Sequence, residues 1–261
     1  MTDDLLLRRD AASIAYLTMN APAKLNALSD EMLAALQNTF DEIASDDSIK
    51  VVVLSGAGKA FCAGHDLKQM TAARQLQDGG AAAFHDLFER CAKMMTTIKT
   101  MQQPVIASVH GIATAAGCQL VASCDLAVAQ EGTRFGVNGV NIGLFCSTPM
   151  VALSRNISRK QAFEMLVTGE FIDAARAREL GLVNRVTHDL AAETEALAKT
   201  IASKLGAAVR IGKRAFYEQL EMGLAEAYDF TGRVMVENMA VPDTEEGIAA
   251  FLEKRAPNWN D

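Results

Sequence analysis

The sequence lacks most of the features that mark secreted, zinc-binding or membrane-spanning proteins. Its 261 residues include five cysteines, and no two of them form a C-x-x-C pair. An odd number of cysteines without paired spacing argues against a disulfide framework or a zinc site and favours a reducing compartment. Residues 1–10 hold two arginines, three aspartates and no long apolar run, and no apolar stretch reaches transmembrane length. These absences predict a cytoplasmic protein that binds neither a metal nor a membrane.

The sequence also lacks a nucleotide-binding signature and a surplus of positive charge. Gly-Ala-Gly-Lys at 56–59 is the nearest match to a phosphate-binding loop, but no G-x-x-x-x-G-K-[ST] motif is present. A G-x-G-x-x-G motif would need glycine where Phe61 stands. The formal net charge of −7 argues against nucleic acid or an anionic membrane as the main partner. The net charge does not exclude a phosphorylated ligand, because a few local lysines are enough to hold one.

The residue pattern predicts an α/β protein. Half of the residues are hydrophobic, which is enough apolar material for one large core or for a core with an appendage. Short apolar runs predict strands at 5–7, 14–17, 51–54, 105–109 and 126–129. We expect the first two strands to be joined by a polar turn at Arg9 and Asp10. Helical spacing predicts helices at 81–100, 115–123, 160–167, 174–180 (ended by Gly181) and 190–205.

Two of the predicted helices have clear inward faces. Ser29 is the expected N-cap of the first helix, since its hydroxyl can accept a backbone N–H and two acidic residues follow it. The apolar stripe of this helix is Met32, Leu33, Leu36, Phe40 and Ile43. The inward face of the helix at 81–100 is expected to consist of Phe84, Leu87, Phe88, Cys91 and Met95.

The order of the elements divides the chain into two parts. Alternating strands and helices predict a β-β-α core over residues 1–200, and residues 201–261 have almost only helical spacing. The helical part has more apolar positions than a lone appendage needs. Packing between subunits is the simplest use for the excess.

Four segments in order resemble the enoyl-CoA hydratase/isomerase (crotonase) family. They are Lys-Ala-Phe-Cys-Ala-Gly-His-Asp-Leu-Lys at 59–68, Pro-Val-Ile-Ala-Ser-Val-His-Gly at 104–111 continuing to Cys124 and Asp125, Phe-Gly through Asn-Ile-Gly-Leu at 135–144, and Glu-Lys-Arg at 253–255. The resemblance covers roughly residues 5–259. It implies a spiral of β-β-α units, a helical C-terminal trimerisation region, a trimer or dimer of trimers, and an acyl-CoA thioester as ligand. Coenzyme A would be part of the substrate, so no separate cofactor is implied.

The resemblance also implies an oxyanion hole made of the backbone N–H groups of His65 and Ala116. A thioester carbonyl gains negative charge in the transition state, and two fixed N–H donors stabilise that charge without reorganisation. Gly64 permits a tight turn beside the first donor, and the second donor lies at a helix N-terminus with its positive dipole end. The competing interpretation of each segment alone is a glycine turn and a packed helix of small residues.

The sequence departs from the family at both catalytic glutamates. Hydration needs one carboxylate to deprotonate water and one carboxylic acid to protonate C2. The matching positions hold Gln119, which cannot take a proton from water, and Gly139, which has no side chain. Cys146 is a candidate nucleophile and the His65 imidazole a candidate base, although a small buried cysteine and a purely backbone role are the simpler interpretations. Asn138, Asn141 and Ser147 also flank the empty position.

The family's coenzyme A contacts map onto residues at both ends of the chain. The implied set is Lys24, Leu25, His65, Asp66, Leu67, Lys68, Ala116, Phe251 and Lys254. Each lysine alone is equally consistent with a solvated surface. Three functions stay open: an enzyme with altered chemistry on enoyl- or acyl-CoA in fatty-acid metabolism (lyase, isomerase, decarboxylase or thioesterase), a non-catalytic acyl-CoA-binding protein, and a weak enoyl-CoA hydratase.

Overall fold

The computed structural model describes residues 4–259 and contains two sheets. The larger sheet has the strand order β1-β2-β3-β4-β6-β9, and the smaller has the order β5-β7-β8. The strands are β1 (Leu6–Ala11), β2 (Ile14–Met19), β3 (Val51–Gly56), β4 (Val105–Val109), β5 (Ile112–Thr114), β6 (Leu126–Gln130), β7 (Arg134–Gly136), β8 (Ile172–Asp173) and β9 (Arg185–Thr187).

Helices cover both sheets and form the C-terminal end of the described chain. They are α1 (Asp30–Ala44), α2 (Leu67–Ala73), α3 (Ala81–Thr100), α4 (Ala116–Ser123), α5 (Pro149–Asn156), α6 (Arg159–Thr168), α7 (Ala174–Leu180), α8 (Leu190–Ala202), α9 (Gly206–Gln219), α10 (Leu224–Met239) and α11 (Pro242–Glu253). Short 3-10 turns lie at Pro22–Lys24 and Asn138–Ile142. No helix within residues 4–259 is long and apolar enough to cross a membrane.

The central strands are parallel and buried, as their apolar sequences predict. β2, β3, β4 and β6 pair in parallel, and every residue of β4 is buried. Parallel strands covered on both faces need near-continuous apolar residues rather than alternating ones. β1 pairs antiparallel with β2 at the edge and is mostly exposed.

The predicted turn at Arg9 and Asp10 is wrong. Both residues lie inside β1, and the hairpin instead turns at Ala12 and Ser13, with φ angles of 51° and 61°. Two successive residues with positive φ match the right-handed twist of paired strands. The polar character of Arg9 and Asp10 reflects the solvent-facing edge strand and not a turn.

The chain repeatedly crosses from the larger sheet to the smaller one and then enters a helix. β4 leads into β5 through Gly111, where an added Cβ would lie 2.1 Å from the carbonyl oxygen of Lys59. β6 leads into β7, which pairs in parallel with β5. After β3, Cys62 forms an isolated parallel bridge with Ala113 before α2 begins. The predicted β-β-α order is therefore present, although the short strands β5, β7, β8 and β9 and the helices α2 and α5 were not predicted.

The two helices with predicted inward faces form where expected. The Ser29 hydroxyl accepts the Met32 N–H at 3.2 Å, and all five predicted stripe residues of α1 are buried. α3 spans the predicted residues, but Phe84 and Phe88 are only half-buried while Met94 and Ile98 are fully buried.

A buried charged cluster fastens α9 to the larger sheet. The Lys213 ammonium donates to the carbonyl oxygens of Ile98 (2.7 Å) and Gln103 (2.8 Å) and to a carboxylate oxygen of Asp125 (2.8 Å). The Tyr217 hydroxyl donates to the other Asp125 oxygen at 2.8 Å. Burial lowers the pKa of Lys213, and the Asp125 carboxylate acts against that effect. Asp125 therefore has the loop-fixing role that carboxylates of this kind commonly have.

The last two helices leave many apolar side chains exposed. α10 has no buried residue, and α11 packs against α10. The exposed apolar side chains of α9 to α11 are Phe216, Leu220, Leu224, Tyr228, Met235, Val236, Met239, Ile248, Phe251 and Leu252. The excess of apolar positions predicted for the C-terminal part is thus present as exposed side chains. The division of the chain at residue 200 and the oligomeric state stay predictions.

Candidate active site

A cavity of about 460 Å³ lies between the segment that follows β3, the junction of β5 and α4, and the loop before α5. Phe88 of α3 contributes one wall, and α2 contributes Leu67 and Met70. The remaining lining residues come from three chain segments: Ala63 and His65; Thr114, Ala115 and Ala116; and Asn138, Gly139, Asn141, Ile142, Leu144, Phe145, Cys146, Ser147, Thr148 and Pro149. The first two segments contain the expected oxyanion donors.

The backbone N–H of His65 points away from the neighbouring chain segment at Leu28. The Leu28 N–H donates to the Gly64 carbonyl at 2.8 Å, within a parallel bridge between Leu28 and His65. In such a bridge Leu28 forms its hydrogen bonds with the residues on either side of His65. The N–H of His65 itself therefore points to the side away from Leu28. Gly64 has φ +89°, a conformation that glycine adopts without strain.

The start of α4 presses against this loop. A Cβ added at Gly64 would lie 3.0 Å from the Ala115 Cβ and 3.3 Å from the Ala116 nitrogen. A Cβ added at Gly117 would lie 2.2 Å from the Cys62 carbonyl oxygen. The small residues predicted to permit close approach therefore permit contact between the two donor segments.

Ala116 is the first residue of α4, where N–H groups have no acceptor inside the helix. The first N–H groups of a helix lack partners and carry the positive end of its dipole. Ala115 precedes it with φ 50° and ψ −120°, an uncommon conformation for a residue with a side chain. Its own N–H donates to the Gly136 carbonyl at 2.9 Å, which anchors the turn on β7. The turn thus leaves the Ala116 N–H beside the loop that contains His65.

The two positions of the missing glutamates have different surroundings. Gln119 is 5% exposed, does not line the cavity, and its side-chain oxygen has no hydrogen-bond partner within residues 4–259. Gly139 does line the cavity, but a Cβ there would lie 2.3 Å from the Leu144 carbonyl oxygen and 2.9 Å from the Cys146 sulfur. The backbone therefore leaves no room for a glutamate at position 139.

Cys146 takes part of the space beside Gly139. Its sulfur accepts the Gly139 N–H at 3.3 Å. Burial raises the pKa of the Cys146 thiol, and the hydrogen bond from Gly139 acts in the opposite direction. A thiol rather than a thiolate at neutral pH is a poor nucleophile, so the geometry favours the packing interpretation of Cys146.

The His65 ring lies beside Phe88, with its centroid 5.7 Å away in an edge-to-face arrangement. Burial lowers the pKa of His65, and a weaker interaction with the Leu28 backbone acts the other way. Neither ring nitrogen has a hydrogen-bond partner by distance and angle among residues 4–259. The ring is therefore neutral at pH 7, and no second side chain orients it as catalytic bases usually require.

A polar pair that the sequence did not predict also lines the cavity. The Thr114 hydroxyl donates to the Asn138 side-chain oxygen at 2.5 Å. Parallel pairing of β5 with β7 aligns Thr114 with Gly136 and so brings Asn138 alongside. Sequence spacing alone could not reveal this contact, because the register of two three-residue strands creates it.

Several of the expected coenzyme A contacts lie next to the chain segment that contributes Ala63, His65 and Leu67 to the cavity lining. Asp66 caps α2 by accepting the Lys68 N–H at 2.9 Å, and the Lys24 ammonium lies 3.5 Å from its carboxylate. Burial alone would raise the pKa of Asp66, but these hydrogen bonds and Lys24 outweigh it and lower the pKa. The Leu25 carbonyl accepts the Ala63 N–H at 3.0 Å, which connects the turn at Lys24 to the loop that contains His65.

Two expected contacts lie elsewhere. Phe251 is 83% exposed on α11, and Lys254 ends that helix; neither lines the cavity. Within one described chain, the structure therefore brings together Lys24, Asp66 and the segments that contain His65 and Ala116, but not Phe251 and Lys254.

The crossing β-β-α units and the cavity between them define a crotonase fold, and comparison with known proteins agrees. The family model for enoyl-CoA hydratase/isomerase matches residues 9–261. The chain belongs to that family, and the predicted fold class is confirmed.

Several relatives are similar to this chain over nearly its whole length. The chain is 45% identical over 254 residues to "Enoyl-CoA hydratase domain-containing protein 3, mitochondrial" of Homo sapiens, covering 97% of this chain and 82% of that protein. The crystal structure of the human protein superimposes with a TM-score of 0.93 at 44% identity, covering 98% of this chain and 100% of that one. A Mycobacterium smegmatis enoyl-CoA hydratase structure reaches 0.95 at 53% identity, covering 99% and 100%. The runs at 115–125 and 139–149 predict a likeness to the branch that contains the human protein, and the comparison confirms it.

Proposed function

We propose that the chain binds an acyl-CoA thioester in this cavity, with the thioester oxygen between the N–H groups of His65 and Ala116. The support is the contact between the two segments that carry these donors, maintained by Gly64 and Gly117. Fixed donors in a water-poor site stabilise a developing oxyanion much better than water does. Lys24, whose ammonium lies 3.5 Å from Asp66, and Lys68, whose N–H donates to Asp66, would accompany the phosphates of coenzyme A.

The site does not support ordinary hydration. Of the residues described as lining the cavity, none is Asp, Glu, Lys or Arg. Acid–base catalysis typically contributes roughly 10²–10⁴-fold per group, so a site without carboxylates loses most of a hydratase's rate. The observation that carries this conclusion is Gly139, where the Leu144 carbonyl occupies the place of a side chain.

The function best supported is therefore acyl-CoA binding with polarisation of the thioester and at most marginal hydratase activity. An enzyme with altered chemistry (lyase, isomerase, decarboxylase or thioesterase) is the second candidate, and one observation favours it. The neutral His65 ring lines the cavity and can accept a proton. The sequence-based choice of Cys146 is less favoured, since burial raises the pKa of its thiol.

Assembly and location belong to the same proposal. The apolar side chains exposed on α9 to α11 fit a trimer or a dimer of trimers. Such an assembly would let Phe251 and Lys254 of one subunit approach the cavity of another. The cytoplasmic location stays a prediction, and the names of the human and Xenopus laevis relatives place those proteins in mitochondria.

Titration calorimetry with butyryl-CoA, a saturated thioester that cannot be hydrated, tests binding separately from turnover. We expect micromolar affinity in the wild-type chain. Gly64→Ala should weaken binding, because the new Cβ would lie 3.3 Å from the Ala116 nitrogen and push the two donors apart. Absence of heat with butyryl-CoA and crotonyl-CoA alike would contradict the proposal.

A further inference from the structure

A second cavity, of about 400 Å³, lies between α8, α9 and the starts of two strands of the larger sheet. It is separate from the candidate active site, because the two sets of described lining residues share no member. Its lining residues Pro104 and Asp125 directly precede β4 and β6, whereas the candidate active site follows β3 and β5. The second cavity therefore lies at the opposite end of the parallel strands.

The walls of this cavity are mostly apolar. Leu126 and Ile201 line it from the sheet and from α8, and Val209 and Phe216 line it from α9. Gly212 of α9 also lines the cavity, and a Cβ added there would meet nothing within 4 Å. The size and the apolar walls are typical of a site for a small ligand with an apolar body.

The charged cluster of Asp125, Lys213 and Tyr217 also lines the cavity, but it has no donor left for a ligand. The Lys213 ammonium has three hydrogens and donates all of them, to two backbone carbonyls and to Asp125. The Tyr217 hydroxyl donates its hydrogen to Asp125 as well. A ligand beside this cluster meets a neutralised ion pair and carbon atoms, which favours an apolar chain over an ionic group.

Lys204 is a cation of this cavity that has no partner in the described chain. It lines the cavity, is exposed, and its ammonium makes no hydrogen bond or ion pair with residues 4–259. Since Asp125 and Lys213 cancel each other, the lining side chains carry one net positive charge. An anion paired with Lys204 would keep part of its hydration, so the cost of burying its charge would be small.

We propose that this cavity binds a medium-chain monocarboxylate, with the apolar chain between α8 and α9 and the carboxylate paired with Lys204. Phosphorylated ligands carry more negative charge and need more donors than one lysine supplies. An amine with the same chain would be repelled by the Lys204 ammonium. The inference does not depend on the proposed function, because it concerns a different cavity.

Titration calorimetry on the full chain with three small probes tests the proposal. Octanoate should bind with a Kd below about 1 mM. Hexanoate, which is two methylenes shorter, should bind about tenfold more weakly. Octylammonium has an eight-carbon chain and the opposite charge, and it should bind at least about threefold more weakly than octanoate.

Two variants assign the binding to this cavity. Gly212→Leu places a side chain in the open space and should weaken octanoate binding at least about tenfold. Gly232→Leu is the matched control, since Gly232 lies in α10, does not line the cavity and also has nothing within 4 Å of an added Cβ. Lys204→Gln should bring the ratio of the octanoate and octylammonium affinities close to one. Cooperative thermal unfolding checks that each variant is folded.

A second copy of the chain is the competing occupant, because Phe216 is also one of the exposed apolar side chains of α9 to α11. Light scattering should give the same number of subunits for Gly212→Leu and the wild type, and fewer subunits in the variant would overturn the proposal. Absence of saturable heat with octanoate would overturn it too. Equal octanoate affinity in Gly212→Leu and Gly232→Leu, or octylammonium binding as tight as octanoate binding, would have the same meaning.

Discussion

Adding a single methyl group at position 139 should destabilise the protein, and the structure gives the magnitude. In Gly139→Ala the new Cβ would start 2.3 Å from the Leu144 carbonyl oxygen and 2.9 Å from the Cys146 sulfur. Ordinary contact requires the Leu144 backbone to move by about 1 Å, and overpacking of this kind costs about 1–3 kcal/mol. A loss of about 2 kcal/mol lowers the melting temperature of a chain of this size by about 4–8 °C.

Thermal unfolding at one fixed protein concentration measures this effect, and Gly212→Ala is the matched control. Gly212 lies inside α9, and an added Cβ there meets nothing within 4 Å. Alanine inside a helix is more favourable than glycine by about 0.5–1 kcal/mol, so the control should be slightly more stable than the wild type.

A second variant separates the two contacts of the new methyl group. In a Cys146→Ala background the sulfur is gone but the Leu144 oxygen stays, so Gly139→Ala should keep most of its penalty. The reasoning is refuted if Gly139→Ala unfolds at the wild-type temperature, or if Cys146→Ala removes the whole effect.

The same obstacle limits the restoration of hydratase chemistry. Replacing Gln119 and Gly139 together by glutamate puts both acids at the positions matched to the family, but the chain must first rearrange around Leu144. We therefore expect the double variant to be destabilised and to gain little activity. A stable double variant that hydrates crotonyl-CoA at a rate near that of an ordinary hydratase would contradict this, because it would show that the backbone at Leu144 moves at little energetic cost.

Four further outcomes are expected. Crotonyl-CoA hydration, followed spectrophotometrically, should be slower by at least about 10³ than in a family member with both glutamates, and an ordinary rate would show that another group transfers the proton. Lys213→Met should cost about 3–5 kcal/mol in urea unfolding, because it leaves the Asp125 carboxylate and two carbonyls without their buried cation; a change under 1 kcal/mol contradicts this. Because the pKa of Asp66 is lowered in the folded protein, its carboxylate stabilises the fold above the ordinary pKa of 3.8, and this stabilisation is lost as the pH falls below that value. In Asp66→Asn the urea midpoint should therefore change less with pH in that range. An unchanged pH dependence of the midpoint argues against the effect. Light scattering should give three or six subunits, and a monomer at micromolar concentration would overturn the assembly.

Local signals in the sequence predicted the parts of the fold that depend on local physics. The Ser29 cap and the stripe of α1 follow from spacing within one helix, and the buried parallel strands follow from all-apolar runs. The close contact between the segments at Gly64 and Gly117 was predictable because only glycine and other small residues allow two backbones to approach so closely. The type of residue at each position is enough to indicate this requirement.

Features set by distant pairing could not be predicted in this way. β5 and β7 have three residues each, and only their mutual register brings Thr114 to Asn138. The collision at Gly139 depends on the path of the chain through Leu144, which no spacing rule describes. The turn prediction at Arg9 and Asp10 was wrong because polar residues are typical both of turns and of exposed edge strands.

The cluster around Asp125 has a consequence for how the molecule unfolds. One carboxylate receives the Val105 N–H at the start of β4, the Lys213 ammonium and the Tyr217 hydroxyl from α9. Detachment of α9 would therefore uncover a buried charge in the sheet and leave the carbonyls of Ile98 and Gln103 without donors. The first C-terminal helix and the central strands should lose their amide protection in hydrogen exchange together, as one cooperative unit. A chain cut near residue 200 would lack Lys213, the cation that pairs with the buried Asp125 carboxylate.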